Sequence, residues 1–186
     1  MPTFDENAAE CLVYTYKEGL LSAIGHDLVI RVGRLAITVE PATRAVEARF
    51  DASSLRVASA AHPGDPGQTG RAPSPIPLSE GDKRKIEGTI RDEVLASRRY
   101  PEVRFSSTAV TPVNDGFHIE GTLTLHGRAR PIALDARPVG DRLTAEITLH
   151  QPDFGITPYS AMLGALKLKP RVNVRVSLPR AAANGG

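Results

Sequence analysis

The sequence predicts a mainly β domain: a single antiparallel barrel with one amphipathic helix and one long Pro/Gly-rich loop. Three observations support this class. Apolar and polar residues alternate at period two along the C-terminal two-fifths of the chain, the signature of strands with one face in a core. The links between those runs are short and so join antiparallel neighbours, because parallel strands need crossovers of about a dozen residues. Helical spacing is confined to one segment, about 80–96. A two-sheet sandwich is the other arrangement this pattern allows.

CLVYTY, beginning at Cys11, reads as a strand, where the lone cysteine is expected to pack as a small hydrophobe. Leu28, Ile30 and Val32 then hold even positions, while Leu35, Ile37 and Val39 hold odd ones. The phase slips near Gly33. A β-bulge there would return the side chains to one face and bend the strand. A second slip, around Ser53 and Ser54, separates Val46, Ala48 and Phe50 from Leu55 and Val57. Bent strands let a sheet curl into a barrel, whereas a flat sheet does not close.

Residues 58–78 contain five Pro and three Gly with almost no large apolar side chain, and read as a surface loop. Ser79 is placed as an N-cap with Asp82 three residues on, which satisfies a free helix N–H. Ile86, Ile90, Val94 and Leu95 then share one helix face, and the helix stops before Tyr100-Pro101.

Beyond the helix, Phe117, Ile119, Leu123 and Leu125 alternate with His118, Glu120, Thr122, Thr124 and His126. Leu143, Ala145, Ile147 and Leu149 repeat the pattern, as do Leu166, Leu168, Val172, Val174, Val176 and Leu178. Turns are expected at Asn114-Asp115-Gly116, from Gly127 to Pro131, and at Gly140-Asp141. Residues 1–180 read as one domain, and 181–186, AAANGG, as a disordered tail.

Composition excludes several function classes. The 186 residues carry 23 Lys+Arg against 21 Asp+Glu, interleaved, for a net charge of +2. A nucleic-acid partner is not expected from so even a balance. No stretch reaches the length of an apolar membrane span, so no stable membrane insertion is expected. The first twenty residues carry acids where a secretory signal has a basic and then an apolar region. A cytoplasmic location is therefore expected, or a periplasmic one if a signal was removed. One cysteine can make neither an internal disulfide nor a Cys-rich zinc site.

Catalytic motifs are missing as well. There is no nucleophile elbow, phosphate loop or paired-carboxylate motif. His118, His126 and His150 fall on outward alternates, so no metal site and no cofactor are expected. In Gly25-His26-Asp27 the adjacent strand residues point to opposite faces, which denies them a base–orienter role. His26 remains the first polar residue to consider at a barrel mouth. The chain also has no Trp and only 5% aromatic residues. Either aliphatics fill the interior tightly, or the protein does not fill it completely. An eight-stranded barrel can do either.

Four strings carry a family resemblance: GHDLVIRVGRLAITVE, DEVLASRRYP, YPEVRFSSTAV at Tyr100–Val110 and GTLTLHGRARPIAL at Gly121–Leu134. In this order and spacing they resemble the YceI family of lipocalin-like, polyisoprenoid-binding proteins, over about Leu12 to Leu178. The resemblance implies an extended, eight-stranded, lipocalin-like antiparallel barrel. It also implies one long apolar ligand, a polyisoprenoid or fatty-acid derivative, bound without catalysis. By motif position, Phe105, Leu123 and Leu125 would line the pore, with His126 and Gly127 in the following turn. The strand alternation adds Leu28, Ile30, Phe117, Ile119, Leu143, Ile147, Val172, Val174 and Val176 to the expected ligand-binding wall, and Leu134, at the end of the last resembling string, is expected there too. For an anionic head group, His26 and Arg31 are the expected rim residues.

Two other functions compete with a lipid carrier. One is an interaction module with a filled barrel, able to form a homodimer through a sheet edge. The other is a lipid-modifying enzyme, which needs an inward ionisable group that the alternation does not supply. Many family members are secreted, whereas no signal pattern is read in residues 1–20, and the 58–78 loop is expected to be unusually long for its place, so that it could cover the entrance. The chain also lacks the Gly-x-Trp signature of classical lipocalins.

Overall fold

A computed structural model describes residues 1–18, 27–59 and 78–180. His26, most of the 58–78 loop (60–77) and the 181–186 tail lie outside the described residues. The strands, in order, are β1 (Thr3–Asp5), β2 (Glu10–Thr15), β3 (Lys17–Glu18), β4 (Leu28–Val32), β5 (Leu35–Val39), β6 (Val46–Asp51) and β7 (Leu55–Ser59). After the helix α1 (Glu80–Thr89) and a π-helical turn (Ile90–Val94) come β8 (Glu102–Val113), β9 (Gly116–Leu125), β10 (Arg128–Val139) and β11 (Arg142–His150). β12 (Ser160–Ala161), β13 (Leu166–Leu168) and β14 (Arg171–Pro179) complete the chain.

β4 and β5 are two halves of one bent strand, and β6 and β7 are two halves of another. Antiparallel pairing then runs β2, β4/β5, β6/β7, β8, β9, β10, β11, β14 and back to β2. This ring has eight members. β1 pairs with the edge of β5 opposite β6, and β3, β12 and β13 form a separate small sheet.

At the two phase slips the structure corrects the expected bulges. Each strand breaks at a two- or three-residue corner, and the corners are stitched together. Gly33 N–H donates to Ser54 O (3.0 Å), Arg34 N–H to Ser54 Oγ (2.9 Å), and Asp51 N–H to Arg34 O (3.0 Å). A Cβ at Gly33 would lie 2.7 Å from Ser54 O, so the approach admits only glycine. Register shifts do occur, but between Val29 and Ile30 and between Ser107 and Ala109.

Two further expectations need correction. The turn expected from Gly127 to Pro131 is only His126-Gly127, both at positive φ (51° and 73°), and β10 begins at Arg128. Pro131 is tolerated inside β10 because β11 reaches only Asp135, leaving the proline's second edge without a strand that needs its N–H. The run from Leu166 to Leu178 is likewise two strands. Lys169-Pro170 breaks it, and β13 pairs with β3 and β12 instead of continuing β14.

The helix is as expected at its start. Ser79 Oγ accepts the Asp82 N–H at 3.1 Å. None of its residues is fully buried, yet Ile86 and Ile90 pack on Leu28, Ile30 and Val57. β8 pairs with β6 but not with β7, so the helix covers the edge that β7 exposes. Glu87 Oε1 accepts the Val57 N–H at 2.9 Å, supplying the acceptor that a neighbouring strand would have given.

We call the end of the barrel at Thr15, Leu28 and His150 the upper end. The lower end holds the β5–β6 and β8–β9 turns.

Candidate functional site

The ring encloses a cavity of about 590 Å³, inside the roughly 300–1,000 Å³ range of small-molecule sites. Its wall is overwhelmingly aliphatic. Leu28 and Ile30 face it from β4, Phe105 from β8, and Phe117, Ile119, Leu123 and Leu125 from β9. Leu134 comes from β10, Leu143 and Ile147 from β11, and Val172, Val174 and Val176 from β14. Alternation thus brings together on one surface every aliphatic or aromatic residue expected there. The reason is local, since inward residues are two apart on each strand and the closed ring turns all those faces toward one axis.

Arg31 is a correction. It sits between Ile30 and Val32, both inward, so it projects outward, exposed and 4.0 Å from Glu10. It cannot serve as a rim cation.

Residues that alternation misses lie mostly where the strands are irregular. Val103 and Phe105 face in at odd positions, but after the shift at Ser107/Ala109 the inward residue is Val110. The helix contributes Lys85, Ile86, Thr89, Ile90, Val94 and Leu95. Lys167 lies between Leu166 and Leu168, so one continuous strand with those residues inward would turn it outward, but β13 belongs to the small sheet and Lys167 borders the cavity. No short-range periodicity marks that position.

Charge on this wall is uneven. Both acids that border the cavity are held by arginines, Asp51 by Arg34 at 2.6 Å and Glu146 by Arg175 at 2.6 Å. At the lower end, the Arg44 guanidinium lies 5.0 Å from the centre of the Phe117 ring, a cation–π contact. Lys17, Lys85 and Lys167 border the upper part. Cys11 faces the cavity, 3% exposed, and burial pushes its thiol up to about 12. A thiol so far from ionisation is a poor nucleophile.

The histidines lie elsewhere. His118 Nδ1 is 2.7 Å from Asp135 Oδ1 and His150 Nδ1 is 3.0 Å from Asp153 Oδ1, both exposed pairs, while His126 lies against Tyr100. Among the described residues, no three His, Cys, Asp or Glu side chains converge, and no helix is long and apolar enough to cross a membrane.

The profile of the YceI-like domain matches residues 27–179. The chain is 35% identical over 75 residues to UPF0312 protein ECA1782 of Pectobacterium atrosepticum, and 33% identical over 75 residues to UPF0312 protein PC1_2518 of Pectobacterium carotovorum. Each match spans 35% of this chain and only 39% of the relative's length. Among solved structures, BcnA of Burkholderia cenocepacia superposes with a TM-score of 0.59 at 12% identity, covering 91% of this chain and 94% of that one. A polyisoprenoid binding domain from Saccharophagus degradans, implicated in plant cell wall breakdown, gives 0.57 at 15% identity, covering 95% of both. At such identities the likeness is one of fold.

Proposed function

This chain belongs to the YceI-like domain family, and on that premise we propose that it binds one long-chain apolar lipid inside the barrel and carries it without chemical change. A polyisoprenoid or a fatty-acid derivative is the ligand class. The observation that carries the reading is the 590 Å³ cavity with an almost wholly aliphatic wall. A barrel acting only through its outer surface would fill that space with its own side chains, as protein interiors otherwise do. Carriage without catalysis is supported by the wall chemistry. Its acids are neutralised by arginines, and its thiol is held protonated.

Burial of the chain would supply the affinity, at about 0.8 kcal/mol per methylene. In a homologous series of fatty-acyl probes, affinity should rise about fourfold per added methylene and level off once the cavity is full. Organic extraction of the purified protein followed by mass spectrometry should yield a lipid in near-stoichiometric amount. A clean extract, together with no uptake of added polyprenyl or fatty-acyl probe, would overturn the proposal. Leu123→Arg should abolish uptake, because it puts an unpaired charge on the wall. Full uptake by a folded Leu123→Arg variant would show that the ligand binds elsewhere.

A further inference from the structure

We propose that the upper mouth of the barrel selects amphiphiles with an anionic head group, a carboxylate or a phosphate, held at Lys85 and Lys167. This rests on the carrier reading above and adds the chemistry of the ligand's polar end.

Three observations converge on one end. First, Lys85 on α1 and Lys167 on β13 both border the cavity, although they come from elements 82 residues apart in sequence (167 − 85). β13 pairs with β3 at Leu168↔Lys17, directly after the upper end of β2. α1 meets β7 at Val57, level with Ile30 and Val13 in the upper half. Second, neither lysine has a carboxylate within ion-pair distance among the described residues, in contrast to the two wall acids, each held by an arginine. Glu18 is the cross-strand partner of Lys167 but is not within ion-pair distance of it, so among the described residues both ammonium groups are left without a close counter-charge. Both side chains are exposed, so apolar stems can line the rim while the ammonium groups sit at the water boundary.

Third, Thr15 lies in the same part of the wall, 7% exposed, and its hydroxyl has no hydrogen-bond partner among the described residues. Buried hydroxyls are rarely left in that state, and an oxyanion at this end would supply an acceptor. The lower end offers no equal site. Among the described residues the one cation that borders the cavity there, Arg44, is already stacked over Phe117. An amphiphile would thus enter tail first and leave its head group among the lysines.

The test compares ligands matched in chain and differing only in the head: oleate against oleyl alcohol, and farnesyl phosphate against farnesol, each titrated calorimetrically into the full chain at low salt. The anionic member of a pair should bind about fivefold to tenfold more tightly, the sum of two exposed ion pairs. The gap should close near 1 M salt, where screening acts over about 3 Å. Lys85→Met with Lys167→Met should remove the gap, so that acid and alcohol of each pair bind within about twofold of one another. A preference in both pairs assigns the site to oxyanions in general, and a preference in one pair assigns it to that head group. Equal binding of acid and alcohol overturns the head-group assignment and leaves the carrier standing. Failure of all four ligands to bind overturns the carrier reading and this one with it. Should the double variant fold poorly, the salt dependence of the unmodified chain decides by itself.

Discussion

In the lower half of the barrel the wall is made by strands alone, with β8, β9 and β10 in long ladders closed below by the β8–β9 turn, whereas the upper half completes its wall with a helix and a small separate sheet. The lower half draws on the main core cluster, including Ile37, Ala48, Phe105, Ile119 and Leu123. The main cluster also reaches the upper end through Leu149, Phe154 and Ile156, but under the helix the upper wall has a smaller one, in which Leu28, Ile30 and Val57 are buried and Ile86 and Ile90 only partly so. Stability thus concentrates where strands pair on both edges. The upper wall relies instead on a helix and side-chain caps in place of strand pairing, the kind of region that opens at the lowest free-energy cost.

The largest effect that would separate the two halves is expected from Phe105→Ala. The Phe105 ring fills the space above Gly121, where a Cβ would lie 2.6 Å from ring carbons. Removing it uncovers that backbone and enlarges the cavity, at about 3–5 kcal/mol of stability. Urea unfolding should report a loss of this size. The same change at the upper end, Ile86→Ala, should cost roughly half as much or less, since Ile86 is only half-buried. Equal costs would mean that the two ends are equally ordered.

A smaller effect is expected at the seam between helix and sheet. The Glu87 carboxylate is 15% exposed and accepts the Val57 N–H. Glu87→Ala leaves that amide without an acceptor at a strand edge, at about 1–3 kcal/mol. Hydrogen exchange should speed up at Val57 and its β7 neighbours while amides of β9 and β10 stay protected. Exchange that rises equally in both regions would remove the distinction between a rigid lower and an openable upper wall.

The same division governs how much was legible in the sequence. Residues Phe117 to Leu125 and Leu143 to Leu149 could be placed because their surroundings repeat every second residue, and the repeat survives in the ring. The aliphatic wall was therefore readable residue by residue. Lys167 was not, because its orientation depends on β13 pairing with β3, a contact between positions 167 and 18 that no local period encodes. Lys85 was hidden for a related reason. Its neighbour Ile86 marks the apolar face of the helix, and only the tertiary placement of α1 over β7 brings the adjacent stem to the rim. The phase slips were visible, but not their nature. A bulge and a corner both shift the period by one, and the choice fell to Ser54, whose oxygens serve Gly33 and Arg34 from another strand.

The smallest expected effect lies at that corner, where the two halves join. Burial alone would raise the Asp51 carboxyl, but the Ser53 hydroxyl (2.6 Å), the Ser53 N–H (2.7 Å) and the Arg34 guanidinium outweigh it and hold the group below its ordinary value of 3.8. With the folded value lower than the unfolded one, the native state favours the carboxylate. Its contribution is present above about pH 4 and fades as pH falls through the lowered folded value. Asp51→Asn keeps the shape and removes the charge. Because Arg34 is largely exposed, the variant should lose no more than about 1 kcal/mol at neutral pH. Urea titrations should show the difference from the unmodified chain narrowing between about pH 5 and pH 3. A difference that stays constant across that range would mean that the corner is held by the Ser54 hydrogen bonds alone, and that the carboxylate contributes nothing to the bend that separates the rigid half from the open one.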